Sequence, residues 1–146
     1  MSDNQKQENV IDRQQMLFEI QMLDRESKQL QQHLTQTDQQ LVELDITKNA
    51  ISELNNFEKG REILVPIAPG IFATAKIDNN SEVLINVGSG VVVSKTIEQA
   101  IALIKTQTEE VRKSQDMVIK ELEKISNRIN EIEMQLYLNS KEDKKQ

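Results

Sequence analysis

The chain has 146 residues, a net charge of -6, 3% aromatic residues, no cysteine and no tryptophan. This excludes a disulfide framework and a thiolate metal site and argues against a large compact core. Acidic and basic residues are interleaved, so no basic patch exists to neutralise a phosphate backbone, and nucleic acid is not an expected partner.

The start, MSDNQKQEN, has no apolar signal core. No apolar run reaches the ~20 residues that span a bilayer. A cytoplasmic protein without a membrane partner is expected. Residues 1–8 and 139–146 are polar and predicted to be disordered tails. A first helix is predicted over 9–58, where Gly60 would supply the left-handed residue that ends it. It carries an apolar seam: Met16, Ile20, Leu23, Leu30, Leu34, Leu41, Leu44 and Ile51. Each step in the series follows the alternating three-four spacing of a coiled coil, with polar residues filling the gaps.

The period then changes. Segment 61–95 reads as β-structure. Strand-like runs at Ile63-Leu64-Val65, Ile71 to Ile77, Val83 to Val87 and Val91-Val92-Val93 are separated by turn signals at Pro69-Gly70, Asp78-Asn79-Asn80-Ser81 and Gly88-Ser89-Gly90. Pro66 lacks an N–H and belongs at an edge or bulge. So small an insert cannot cover both faces of its own sheet, and other subunits are expected to complete it.

A second helix is predicted over 96–138. Thr96 and Gln99 have the spacing of a capping box. The seam resumes at Ile101, Ile104, Val111, Val118, Leu122, Ile125, Ile129, Ile132 and Leu136. The two helices can fold back as an antiparallel pair with Met16 opposite Leu136, Leu30 opposite Leu122 and Ile51 opposite Ile101. That register sets Thr37 against Gln115 and so joins two polar interruptions in one layer. A shift of one heptad in either direction would bury Gln115 against a leucine, and each buried unsatisfied group costs about 1–3 kcal/mol. The match leaves Ser27 facing Ile125, Thr108 facing Leu44 and Lys48 facing Ile104.

Several apolar residues leave the seam. Val10, Ile11, Leu17, Phe18 and Met22 do so on the first helix, and Met134, Tyr137 and Leu138 on the second. The register brings both groups to one end, where clustered exposed apolar chains would mark a binding surface. The alternative is that they widen the two-helix core. Met117 and Ile119 are also off the seam. A second group, Ile46, Leu54, Phe57, Ala100 and Leu103, is expected to pack beneath the insert.

Signs of catalysis are weak. Gly88-Ser89-Gly90 precedes Lys95-Thr96, but serines 89 and 94 occupy the two glycine positions of a phosphate loop. His33 falls on a solvated flank. The many carboxylates lie on helix surfaces near lysine and arginine, not in a concave desolvated site. No enzyme activity, cofactor or metal is expected.

The segments Ile63 to Ile77 and Val83 to Val93, set between two long helices, resemble the alpha-type subunit of archaeal prefoldins. The resemblance implies an α+β fold: a long antiparallel two-helix coiled coil with a central insert of two β-hairpins that joins an oligomeric β-barrel. It implies a heterohexamer of two alpha-type and four beta-type chains. The strand residues Ile63, Val65, Ile71, Phe72, Ile77, Val83, Ile85, Val87, Val91 and Val93 would build the platform. Clients would be non-native polypeptides held without nucleotide hydrolysis at the coiled-coil tips, here Val10, Ile11, Leu17, Phe18, Met22, Met134, Tyr137 and Leu138, and passed to a group II chaperonin. The competing reading is a coiled-coil scaffold or tether that binds one folded partner.

Overall fold

The computed structural model describes residues 2–145. Helix α1 (Ser2–Leu54) is followed by strands β1 (Glu62–Ala68), β2 (Ile71–Lys76), β3 (Glu82–Gly88) and β4 (Val91–Thr96), then helix α2 (Ile97–Lys145). The chain divides into two compact units. The terminal unit comprises Met1–Asp38 and Arg112–Gln146, and the hairpin unit comprises Gln39–Val111.

Both helices extend further toward the chain ends than the sequence predicts. Residues 2–8 and 139–145 are helical, where disordered tails were expected; Met1 and Gln146, the outermost residues of those tails, lie outside the described residues. The physical reason is that extending an existing helix adds one hydrogen bond per residue fixed, without the nucleation cost. Neither segment contains glycine or proline. Asp3 in the first turn of α1 and Lys144 and Lys145 in the last turn of α2 also complement the helix dipoles.

At its other end α1 stops at Leu54 and not at Glu58. Asn55 and Asn56 follow, and short amide side chains favour turns over helix interiors. The chain tightens there, with Asn56 N–H donating to the Glu53 carbonyl at 2.9 Å and Phe57 N–H to the Leu54 carbonyl at 3.2 Å. Gly60 does have a positive φ of 86°, but it does not cap the helix. Its N–H donates to the Ile77 carbonyl at 2.7 Å, at the foot of the first hairpin.

In the hairpin unit, β1 pairs with β2 and β3 with β4, both antiparallel, as two separate two-stranded sheets. No barrel closes within the described residues. Ile63↔Ala75 and Val65↔Ala73 share one face of the first hairpin, while Leu64↔Thr74 and Pro66↔Phe72 share the other. The register shifts between Pro66 and Ala68 and again between Asn86 and Gly88, so Ile67 and Val87 are bulge residues. The two turns are made by Pro69-Gly70, with φ +76° at Gly70, and by Ser89-Gly90, where both residues have positive φ. Asn79 Oδ1 accepts from the Ser81 N–H at 2.9 Å in the connection between hairpins. The Asn80 amide donates to the Phe57 carbonyl at 2.8 Å and ties that connection to the end of α1. The expected capping box opens α2: Gln99 N–H donates to Thr96 Oγ1 at 3.2 Å, and Thr96 N–H to Gln99 Oε1 at 3.1 Å. The core of this unit is Ile77, Ile97, Ala100 and Ile104, all buried.

In the terminal unit every apolar seam residue is half-buried or buried, and Ile132 is fully buried. Thr37, with 5% of its surface exposed, is a buried polar residue within the seam. Its hydroxyl donates to the Leu34 carbonyl at 2.8 Å and accepts from Gln115 Nε2 at 3.0 Å. Gln115 also donates to Asp38 Oδ1 at 2.7 Å. The polar layer therefore forms between the two residues the register pairs, and no hydroxyl is stranded.

Candidate functional site

Two exposed apolar surfaces stand out, one in each unit. On the terminal unit, Val10, Ile11, Leu17, Phe18 and Met22 of α1 and Met134, Tyr137 and Leu138 of α2 are all exposed. The widened-core alternative is not what the side chains do, since each leaves about half of its surface uncovered. Beneath Leu17, Phe18, Met22 and Met134 the seam stays apolar, with Ile20 half-buried and Ile132 fully buried, and it changes character only nearer the chain ends. Beyond Met16 and Leu136 the seam positions carry Arg13, Asn9, Asn139 and Asp143. Asn9, Arg13, Asn139, Glu142 and Asp143 line a polar cleft with Leu136. Val10 and Ile11 are thus exposed where the seam turns polar, while Leu17, Phe18, Met22 and Met134 flank its apolar part.

A cross-helix ion pair closes the coil just inside that region. Arg128 Nε donates to Glu19 Oε1 at 2.8 Å and Arg128 Nη2 to Glu19 Oε2 at 3.3 Å, a two-pronged pair. A third contact runs from Nη1 to Glu131 Oε2 at 3.3 Å. The hydrogen bond to Glu19, then that to Glu131, raises the Arg128 pKa above its ordinary value and holds the guanidinium firmly charged. Sequence reasoning passed over this pair. Its signal was available, because both residues fall on the g flank of the heptads that places Met16 at d and Ile101 at a. Nearby, Lys141 Nζ lies 4.8 Å from the Tyr137 ring centre, and the Ser140 hydroxyl donates to the Tyr137 carbonyl at 2.7 Å.

The hairpin surface differs from the one the sequence predicts. Val65, Ile71, Phe72, Val87 and Val91 are exposed, and Ile63, Val83, Ile85 and Val93 are half-buried. Ile77 is 7% exposed and lies past the end of β2. It is already covered within its own chain, so it anchors the hairpin and is not free to meet a partner. The prediction missed Leu64, Ile67, Leu84 and Val92, which are exposed; Leu84 is the most open, at 76%. Strict alternation assigns Leu64 and Leu84 to a solvent face and so hides them. The available signal was a repeat: Glu62 to Ile77 and Glu82 to Ile97 match at an offset of 20 residues. Beneath the hairpins, Ala100 is buried and Leu54 and Phe57 are half-buried, whereas Ile46 and Leu103 are exposed. Arg61 caps the Phe57 ring at 4.3 Å.

Comparison with known proteins agrees with these features. A family model described as "Prefoldin subunit" matches residues 23–142. The prefoldin subunit alpha of Thermofilum pendens is 27% identical over 121 residues, covering 83% of this chain and 94% of the relative. That of Pyrococcus horikoshii is 30% identical over 122 residues, covering 80% of each. A chain from the cryo-EM structure of filamentous PFD from Methanocaldococcus jannaschii shares the fold with a TM-score of 0.74, at 14% identity, over 80% of this chain and 97% of that one. With its two long helices and paired hairpins, the chain belongs to the prefoldin family of chaperone subunits, as a member of the alpha type.

Proposed function

We propose that the chain is the alpha-type subunit of an ATP-independent holding chaperone. Its hairpins join those of beta-type subunits in a complex of two alpha and four beta chains in the cytoplasm. Its helix ends capture non-native polypeptides and release them to a group II chaperonin. The observation that carries this reading is the set of exposed apolar side chains on the terminal unit.

The energetics suit holding and not locking. Covering an apolar side chain completely contributes about 1.5–3 kcal/mol. Each of these residues is already half covered, so a client contact adds roughly 1 kcal/mol. One contact is readily lost, while several together retain a chain. Methionines 22 and 134 have flexible thioether chains that repack around different shapes, and Tyr137 offers an apolar ring with a polar tip. None of this requires nucleotide chemistry.

The test replaces Leu17, Phe18, Tyr137 and Leu138 together with serine and follows light scattering of a chemically unfolded client. The expected outcome is loss of protection with assembly mass and helix content unchanged. Full protection by the intact quadruple variant would overturn the proposed surface. A scaffold for one folded partner would fail to protect unrelated clients even as the unmodified chain.

A further inference from the structure

The chain contains no cysteine, so all its oxidisable sulfur is thioether, in five methionines. Met1 lies outside the described residues. Met16 is a half-buried seam residue, whereas Met22, Met117 and Met134 leave the seam and are 48%, 72% and 58% exposed. Exposed sulfur is the sulfur that oxidants reach. Met22 and Met134 both stand in the exposed apolar set at the helix ends, while Met117 lies far along α2 from it.

Met22 follows Phe18 by one helical turn, so the two share an exposed apolar face. Met134 lines a shallow surface depression whose other walls are Asn127, Asn130, Glu131 and Gln135. Three of these neighbours carry side-chain amides, each with two N–H donors. A thioether sulfur is only a weak acceptor for such donors, whereas oxidation would give Met134 a polar oxygen to receive them.

We propose that Met22 and Met134 are reversible oxidation sites through which peroxide lowers the affinity of the helix ends for clients. The sulfur lone pair attacks one oxygen of hydrogen peroxide. An S–O bond forms as the O–O bond breaks, so the sulfur loses two electrons and the peroxide gains them. The proton of the transferred hydroxyl passes to the departing hydroxide, and one sulfoxide and one water result. A thiol-dependent methionine sulfoxide reductase reverses the step. Two thiols then give up two electrons and two protons to form a disulfide, and the sulfoxide oxygen leaves as water. Because both methionines lie off the seam, the coil is retained. On the reading that the helix ends hold non-native chains, on which this switch rests, each sulfoxide forfeits one apolar contact and weakens binding roughly fivefold.

The full chain is treated with hydrogen peroxide, desalted and assembled with untreated beta-type prefoldin subunits, so that only its own methionines are changed. Peptide mass spectrometry places each added oxygen, and circular dichroism follows helix content. Fluorescence anisotropy measures affinity for labelled, reduced and carboxymethylated lactalbumin, a permanently unfolded chain. Met22 and Met134 are expected to gain oxygen before Met16, with helix content unchanged and affinity falling roughly fivefold or more. Reductase with dithiothreitol should restore it. The Met22→Leu, Met134→Leu double variant is expected to have the same affinity before and after treatment, and Met117→Leu to lose affinity as the unmodified chain does. Unchanged affinity with both sulfurs oxidised, an equal loss in the treated double variant, or a loss that follows helix content would overturn the switch alone. Failure of the untreated assembly to bind the unfolded chain would overturn the proposed function and the switch with it.

Discussion

The terminal unit and the hairpin unit both expose apolar side chains, but they hold them differently. In the hairpin unit the exposed residues sit on paired strands whose φ/ψ, register and bulges are set by named bonds. A surface patterned by strand register suits one shape of partner. In the terminal unit they sit on helix flanks, and two are methionines. Under the proposed function, such flexible chains would suit tolerance of many sequences. Under the proposed function, assembly and client capture would be told apart by backbone pattern and side-chain type and not by exposed apolar area alone.

Three experiments can break or sharpen this contrast. The largest effect is expected from Ile132→Ala, which empties a fully buried seam position. Losses for such changes run about 2–5 kcal/mol, and about 3 kcal/mol is expected here. Hydrogen exchange should quicken in the terminal unit while the hairpins keep their protection. Equal loss in both units would show that they do not behave as separate bodies.

A smaller effect is expected at the polar layer. Thr37→Val removes the acceptor of Gln115 and should cost about 1 kcal/mol, because Asp38 still receives the amide. Combined with Gln115→Leu, which leaves neither partner polar, the loss should be less than the sum of the single changes. Chemical denaturation of the four proteins measures this. Strict additivity would mean that the 3.0 Å bond contributes no coupling energy to stability.

The smallest effect is expected from Arg128→Gln. The pair with Glu19 is solvent-exposed, and exposed pairs contribute little. The change should leave the melting temperature nearly unaltered at high salt and lower it slightly at low salt, where screening is weak. An effect independent of salt would show that the arginine stem acts by packing instead.

Much of this architecture was legible in the sequence because it rests on periodicity and short-range chemistry. The seam from Met16 to Leu136, the Thr37–Gln115 layer and the Thr96–Gln99 box each follow from spacing and side-chain type. What escaped was set by cooperativity or by tertiary cover. The helical ends at 2–8 and 139–145 depend on extension from a formed coil and not on local hydrophobicity. Ile77 reads as one more strand residue, and only its hydrogen bonds with Gly60 and Arg61 reveal it as a buried anchor. Leu64 and Leu84 fall on the face that alternation gives to water. The eight off-seam residues at the helix ends were identifiable, but whether they packed or stood open depended on the fold.

The Thr37–Gln115 bond joins residues 78 apart in sequence. Closing a flexible loop of that length unaided would cost about 4 kcal/mol in chain entropy. The connection is shortened beforehand if the hairpins fold first, since Asn80 holds the end of α1 and Thr96 starts α2. A pairing one heptad out of step would set Gln115 against a leucine and leave its amide without Thr37, at a cost of about 1–3 kcal/mol. The polar layer thus weighs against neighbouring registers across a long connection.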